Sequence, residues 1–173
     1  MDLELNGKRA LVLGASRGLG MAIAKSLAAE GATVFAAARS RDKIADWAKG
    51  MENVNPVQCD LSDLAQVDAL ADQLLSDGGA DIIVNNASVF EYDNITTATR
   101  LLPEMKARGW GRIISITSSG VEQPIPNLAL SNGIRSAVVG WSKTLANEVA
   151  GDGITVNVVM PGRIHTQRVD ELD

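Results

Sequence analysis

The sequence predicts an α/β fold, with a doubly wound parallel sheet in a three-layer α-β-α arrangement. Short apolar and β-branched runs alternate with longer helical patterns along the whole chain, and no linker or internal repeat interrupts them. Runs such as ALVL and DIIV are almost continuously apolar, which is typical of a parallel sheet covered on both faces. Right-handed crossovers then favour the strand order 3-2-1-4-5-6.

The predicted strands are short runs with turn residues nearby, and they cover residues 9–13, 33–38, 54–59, 81–85, 112–117 and 155–160. The predicted helices fill the gaps between them and cover residues 18–30, 62–76, 94–107 and 131–150. Gly31 stands just beyond the first helix, where glycine commonly ends one. Asp60 is the candidate N-cap of the second helix.

Composition and charge exclude several classes of protein. A chain of 173 residues, 46% of them hydrophobic and 21% charged, suits one ordered domain over residues 1–173. No stretch approaches the ~20 apolar residues of a membrane span, and the acidic start leads straight into a strand rather than a signal peptide, so we expect a cytoplasmic location. The net charge of −5, without a Lys/Arg cluster, disfavours nucleic-acid and anionic-membrane partners.

Cys59 and His165 are the only residues of their types in the sequence. A lone cysteine forms no intramolecular disulfide or multi-cysteine zinc site, and its apolar neighbours indicate a buried thiol. His165 has no partner motif near it. We therefore expect neither a metal centre nor a Ser-His-Asp mechanism.

A glycine-rich loop follows the first predicted strand and leads into a helix. It reads Gly14-Ala15-Ser16-Arg17-Gly18-Leu19-Gly20. Glycines let the backbone turn tightly and let a pyrophosphate approach the positive N-terminal end of the helix. A strand-to-helix turn without a ligand is the alternative, but the strand-loop-helix context favours nucleotide binding.

The G-x-x-x-G-x-G spacing of this loop resembles the short-chain dehydrogenase/reductase family, and other motifs agree along essentially the whole chain. Residues 81–87 resemble the family's N-N-A-G strand end, residues 111–118 its serine strand, and residues 154–157 with Pro161-Gly162 its sixth-strand motif. The resemblance implies a Rossmann-type domain that transfers hydride between a nicotinamide cofactor and a carbonyl or secondary alcohol. The 3-oxoacyl-acyl-carrier-protein reductase-like branch of the family is the one it suggests.

The second predicted strand ends at Ala38-Arg39, where an NAD-binding site would usually place an acidic residue. Arg39 and Arg17 suit bidentate contacts to a 2′-phosphate, which favours NADP(H) over NAD(H), unless both arginines are solvated surface charges. The resemblance also implies an adenine-contacting role for Asp60-Leu61. The full set of candidate cofactor-binding residues is Gly14, Ser16, Arg17, Gly18, Leu19, Gly20, Arg39, Asp60, Leu61, Asn86, Ala87, Pro161, Gly162, Ile164 and Thr166.

The candidate catalytic residues are Ser118, Ser131 and Arg135. By resemblance Ser118 is the family's serine, whereas Ser131 replaces its tyrosine and Arg135 its lysine. A serine hydroxyl is a far weaker acid than a phenol, and arginine relays no protons, so slow or unusual turnover with ordered water as the proton source is expected. A dinucleotide-binding sensor, or a regulatory or structural subunit without chemistry, is the alternative.

Relative to the family, the crossover of residues 86–110 is short and the C-terminal substrate segment is absent. Either the chain is a trimmed relative of the family, or the sequence omits parts of a longer protein. We expect the second, because residues 155–160 would otherwise form an exposed hydrophobic edge. The resemblance also implies a homodimer or homotetramer. Val138, Val139 and Trp141 are available for such an interface or for the domain's own core.

Overall fold

A computed structural model describes residues 3–86 and 93–164, without the side chains of Asp93 and Asn94. Strands and helices alternate along it as the sequence predicts. The strands are β1 (Arg9–Leu13), β2 (Thr33–Ala38), β3 (Val54–Gln58), β4 (Ile82–Asn85), β5 (Gly111–Ile116) and β6 (Ile154–Val159). The helices are α1 (Gly18–Ala29), α2 (Arg41–Trp47), α3 (Leu64–Ser76), α4 (Asp93–Arg108) and α5 (Ala129–Val149), with 3-10 turns at Ser119–Val121 and Ala150–Asp152.

The six strands form one parallel sheet in the order β3-β2-β1-β4-β5-β6. The predicted α/β class and strand order are therefore confirmed. β1 lies beside both β2 and β4, with Leu11 opposite Phe35 on one side and Ile83 on the other. The chain reverses its direction of travel across the sheet at β1 and β4, and the carboxyl ends of those strands are where doubly wound folds bind their ligands.

Two apolar cores cover the two faces of the sheet. On one face, β-strand residues such as Ile83 pack with buried residues of α3, α4 and α5, including Leu74, Leu101 and Leu145. On the other face, α1 and α2 pack through small or branched residues. Strands β1, β2 and β4 are buried from both sides, which explains their continuous apolar pattern, whereas β3 and β6 at the two ends of the sheet carry exposed residues.

Three details of the prediction were wrong. Helix α2 was not predicted, because its seven residues bury only Ile44 and are too few to show a helical period. Helix α3 begins at Leu64 rather than residue 62, and its N-cap is Asp63 rather than Asp60. The predicted helix 131–150 begins two residues earlier, at Ala129, and the remaining strand and helix ends differ by at most one residue.

Hydrogen bonds explain why Asp63 caps α3. Its Oδ1 accepts from the Ala65 N–H at 3.0 Å, and its Oδ2 accepts from the Gln66 side chain at 2.9 Å. Asp60 instead accepts from both the backbone N–H and the hydroxyl of Ser62, at 3.1 and 2.7 Å, and so forms a turn ahead of the helix. Gln66 Oε1 accepts from the Asp60 N–H, which links the turn to the cap.

Cys59 is buried, as predicted. Trp141 of α5 is partly buried against the core, while Val138 and Val139 are half-buried. In the described chain β6 is a sheet edge, and its last residue, Val159, is exposed together with Met160, which follows it. Across residues 3–86 and 93–164 we find no helix with the length and apolar character needed to cross a membrane.

Candidate functional site

The glycine loop between β1 and α1 is held close to the neighbouring strand. The N–H groups of Gly14 and Ala15 both donate to the Ala37 carbonyl of β2, at 2.8 and 3.1 Å. Gly14 and Gly18 have φ values of 73° and 58°, in the left-handed region that favours glycine. The loop therefore has a fixed backbone path that depends on glycine at these two positions.

Gly20 is needed for a different reason, which is space. A Cβ added at Gly20 would overlap the Gly14 carbonyl and lie 2.5 Å from the Asn86 side-chain nitrogen. Asn86 itself donates to the carbonyls of Leu13 and Gly14, each at 3.2 Å. The residue that follows β4 is thus tied to the loop that follows β1, at the reversal point of the sheet.

Helix α1 starts in this loop without a side-chain cap. Arg17 occupies the N-cap position, makes no capping hydrogen bond, and no acidic residue follows in the first turn. The first N–H groups of a helix lack intrahelical partners and carry its positive dipole end. This end of α1, with Ser16, Gly18 and Leu19 half-buried around it, fits an anionic group.

Arg39 and Asp60 lie together at the ends of β2 and β3. The Cys59 N–H donates to the Ala38 carbonyl, so the two strand ends stay paired up to this point. Hydrogen bonds from the Ser62 hydroxyl and N–H lower the pKa of Asp60, and the positive charge of Arg39 lowers it further. Arg39 is exposed, whereas Leu61 is buried in the core. The positive charge of Arg39 therefore acts on the Asp60 carboxylate across the ends of these two strands.

Trp47, which no sequence motif singled out, contacts the glycine loop directly. Its indole Nε1 donates to the Ala15 carbonyl at 3.1 Å, and Lys25 Nζ of α1 lies 5.4 Å from the centre of its ring. Trp47 is half-buried, and a tryptophan packed against a core usually donates its N–H to an acceptor. A tryptophan in the segment after β2 could therefore have indicated such a contact.

Ser118 lies two residues beyond the end of β5. It is half-buried, with extended backbone at φ −162°, and its hydroxyl accepts from the Gly120 N–H at 3.1 Å to cap the first 3-10 turn. The next residue, Ser119, donates its N–H to the Pro161 carbonyl at 2.9 Å. This bond brings the segment that follows β6 beside Ser118.

Ser131 and Arg135 face the same way from α5, one turn apart. Arg135 Nε donates to Ser131 Oγ at 3.3 Å. The same guanidinium donates from Nη1 to the Thr117 carbonyl at 2.8 Å and, more weakly, to the Ile116 carbonyl at 3.5 Å. Since Thr117 precedes Ser118, the three candidate catalytic residues are gathered at the carboxyl end of β5.

The remaining predicted site residues are placed less fully. Pro161 is half-buried, and Gly162 and Ile164 are exposed beyond β6. Ala87, Thr166 and His165 lie outside the described residues. In the part of the chain that the structure describes, no three or more His, Cys, Asp or Glu side chains gather where they could hold a metal ion.

This arrangement has two chemical parts. The uncapped end of α1 and the glycine loop offer N–H donors to a pyrophosphate, with an arginine nearby for a further phosphate. The end of β5 offers two hydroxyl groups and a guanidinium, which can orient and polarise an oxygen atom of a substrate. Among the residues described at the β5 end, no side chain would titrate as an acid near neutral pH.

Comparison with known families gives a consistent result. A family model described as short chain dehydrogenase matches residues 8–99 and 93–173. A 3-oxoacyl-acyl-carrier-protein reductase of Vibrio cholerae is 36% identical over 202 residues, covering 99% of this chain and 79% of the relative. D-beta-hydroxybutyrate dehydrogenase of Cupriavidus necator is 35% identical over 193 residues, covering 96% of this chain and 74% of the relative.

Solved structures of the same kind superpose closely. L-sorbose reductase from Gluconobacter frateurii, complexed with NADPH and L-sorbose, gives a TM-score of 0.93 at 33% identity, covering 99% of this chain and 75% of that structure. The 3-ketoacyl-(acyl-carrier-protein) reductase from Brucella melitensis, complexed with NADH, gives 0.89 at 30% identity, covering 96% of this chain and 80% of that structure. These two neighbours hold different dinucleotides.

Proposed function

The chain belongs to the short-chain dehydrogenase family, and from this premise we propose that it is an NADP(H)-dependent oxidoreductase for a carbonyl or secondary alcohol, similar in reaction to the 3-oxoacyl reductases. The observation that carries the proposal is the cradle at the start of α1. There an uncapped helix end meets a loop in which Gly20 leaves no room for a side chain. Such a cradle fits the pyrophosphate of a dinucleotide.

The residues that would hold the cofactor follow from this geometry. The loop from Gly14 to Gly20 would face the pyrophosphate, and Asp60 the adenosine end. Arg39 is exposed at the end of β2, where an acid would repel a 2′-phosphate, and this supports NADP(H) over NAD(H). When bound, the nicotinamide supplies or accepts the hydride.

Ser131 and Ser118 would orient the substrate oxygen. Arg135 donates to Ser131 Oγ and occupies one of its lone pairs, so the Ser131 hydroxyl proton is available to donate to another oxygen. The neighbouring guanidinium charge would stabilise an alkoxide that develops there. Because Arg135 cannot give up a proton near neutral pH, ordered water is the proton source in this proposal, and turnover is slow.

A titration followed by a turnover assay tests the proposed function. We expect the chain to bind NADPH more tightly than NADH, and to consume NADPH with some member of a broad carbonyl panel. The variant S131A should lose that substrate-dependent consumption. Full activity of S131A would remove Ser131 from the mechanism, and an absence of binding to either dinucleotide would contradict the proposed function.

A dinucleotide-binding sensor or regulatory subunit is the second candidate, and the Ser131–Arg135 pair favours it. Arg135 donates to two backbone carbonyls at the β5 end, and these bonds would stabilise the fold whether or not a substrate binds. This candidate predicts tight NADPH binding without turnover on any carbonyl of the panel. A structural subunit predicts neither NADPH binding nor turnover.

We also propose that the chain assembles as a homodimer or homotetramer. Val138 and Val139 of α5 remain half-buried within one chain, which leaves apolar surface for a second copy. Sedimentation equilibrium measures the assembled mass. A monomer at all concentrations tested would contradict the proposal.

A further inference from the structure

We propose that Trp47 is a positioning residue for the cofactor, because it holds the glycine loop in the orientation that binds the phosphate groups. The inference rests on the proposed function and adds a residue that lies outside the loop itself. Trp47 is the last residue of α2, 32 residues along the chain from Ala15, whose carbonyl it binds. The contact therefore joins a separate helix to the loop.

The hydrogen bond fixes the direction of one peptide group. Ala15 is fully buried, and its carbonyl accepts from Trp47 Nε1 at 3.1 Å. A trans peptide is planar, and its C=O and N–H point in opposite directions. The bond that draws the Ala15 carbonyl toward Trp47 therefore aims the Ser16 N–H at the opposite side of the loop.

The Ser16 N–H is then a donor available to a ligand. The neighbouring N–H groups of Gly14 and Ala15 both donate to the Ala37 carbonyl. Along the described chain, no backbone carbonyl accepts from the Ser16 N–H. Ser16 precedes the N-cap residue Arg17 and so lies directly ahead of the uncapped end of α1. A phosphate oxygen placed there would accept from Ser16 as well as from the helix.

The indole is itself held in place. Its ring packs against the core between the sheet and α1, and Lys25 of α1 lies over it. A cation over an indole face adds a modest attraction. Trp47 thus connects the loop, α1 and α2 into one unit, and a phenylalanine ring would keep the packing but lose the N–H donor.

Trp110 provides a matched control. It packs against the same apolar core, but it precedes β5 at the amino edge of the sheet, with Lys8 Nζ 4.0 Å and Arg112 Cζ 4.3 Å from its ring centre. The carboxyl edge of the sheet carries the glycine loop, so W110F removes an indole from the same layer without touching the loop.

The experiment compares wild type, W47F and W110F by calorimetric titration with NADPH and by amide hydrogen exchange of the free proteins. We expect W47F to raise the Kd for NADPH about three- to tenfold, the effect of one lost hydrogen bond, and to speed exchange in residues 14–20. W110F should change neither. Equal Kd values for wild type and W47F, or equal loop exchange, would overturn the proposal, as would an equal effect of W110F.

A measurement on the unaltered chain covers the case in which W47F does not fold. ¹⁵N-edited NMR resolves the indole N–H signals of the three tryptophans. The signal of Trp47 should be protected from exchange in the free chain and shift when NADPH saturates it. An unprotected or unshifted signal would overturn the proposal. If wild type binds no dinucleotide, both the proposed function and the role of Trp47 are wrong. If wild type binds NADPH and Trp47 has no effect on it, only the role of Trp47 is wrong.

Discussion

The guanidinium of Arg135 donates to the backbone carbonyl of Thr117 over 2.8 Å, and this bond joins α5 to the end of β5 one residue before Ser118. Because the same guanidinium also donates to Ser131, one side chain sets the relative positions of both candidate catalytic hydroxyls. Arginine can do this because its donors form a planar fork, which a lysine ammonium lacks.

The single substitution R135K should therefore harm the chain although charge is conserved. We expect it to lower the free energy of unfolding by about 1.5–3 kcal/mol, the range for hydrogen bonds to a charged group, and to lower any turnover. Urea unfolding and the NADPH consumption assay measure the two effects. K143R, a reciprocal change at an exposed position of the same helix, serves as the control. A stable and fully active R135K would show that the fork has no positioning role.

The double substitution S131Y/R135K tests whether proton supply limits the reaction. A phenol beside an ammonium group is a much better general acid than a serine hydroxyl, and such catalysis contributes about 10²–10⁴-fold in enzymes. We expect the double variant to turn over at least about tenfold faster than wild type, while R135K alone is slower. Its rate should also fall at alkaline pH as the phenol ionises. A double variant no faster than wild type would contradict this account of the slow step.

Cofactor preference is expected to depend on Arg39. Replacing it in R39Q removes a charge-assisted bond to a 2′-phosphate, so the Kd for NADPH should rise about tenfold or more while that for NADH changes little. R41Q removes a positive charge only two positions away, from a side chain that donates to the Pro56 carbonyl, and is the matched control. Titrations of both variants with both dinucleotides decide the point. If R39Q loses affinity for NADPH and NADH equally, or if R41Q loses as much affinity for NADPH as R39Q does, Arg39 does not contact the 2′-phosphate.

The sequence was sufficient to predict the sheet, because strands buried on both faces carry an unbroken apolar pattern and the glycine loop marks the reversal point. It did not predict α2 or the N-cap Asp63, since short helices have little periodicity and several acidic residues compete for one cap. The Trp47–Ala15 bond escaped prediction because it joins residues far apart in sequence. Which atoms Arg135 contacts likewise depends on how α5 packs on β5, which no local pattern contains.

Gly20 is expected to tolerate no side chain. In G20A the added Cβ would meet the Gly14 carbonyl and the Asn86 amide, so the loop or α1 must shift. We expect a loss of stability of about 1–3 kcal/mol, typical of overpacking, and a loss of NADPH affinity. G133A is the control, because nothing lies within 4 Å of a Cβ there and alanine suits a helix interior better than glycine. Thermal unfolding should show G133A at or above wild type. A G20A variant as stable as G133A would contradict the close packing.

Acid should weaken the turn and cap that start α3. Hydrogen bonds from Gln66 lower the pKa of Asp63, and those from Ser62 lower the pKa of Asp60, relative to the ordinary value of 3.8. A group whose folded pKa is lowered stabilises the fold fully above its unfolded pKa, and that contribution is lost as the pH falls through the lowered value. We therefore expect D63A to lower the Tm near neutral pH by about 2–4 °C, as the loss of one N-cap does in a chain of this size. The difference from wild type should shrink as the pH falls below 3.8.

Asp77 provides the control for this change, since it stands at the C-cap of the same helix. A negative charge at a helix C-terminus opposes the dipole, so D77A should leave the Tm unchanged or raise it slightly. Scanning calorimetry of wild type, D63A and D77A across the acid range measures all three dependences. A D63A deficit that stays constant from neutral pH to well below 3.8 would show that the charged carboxylate does not cap the helix, because only an ionised cap loses its advantage on protonation.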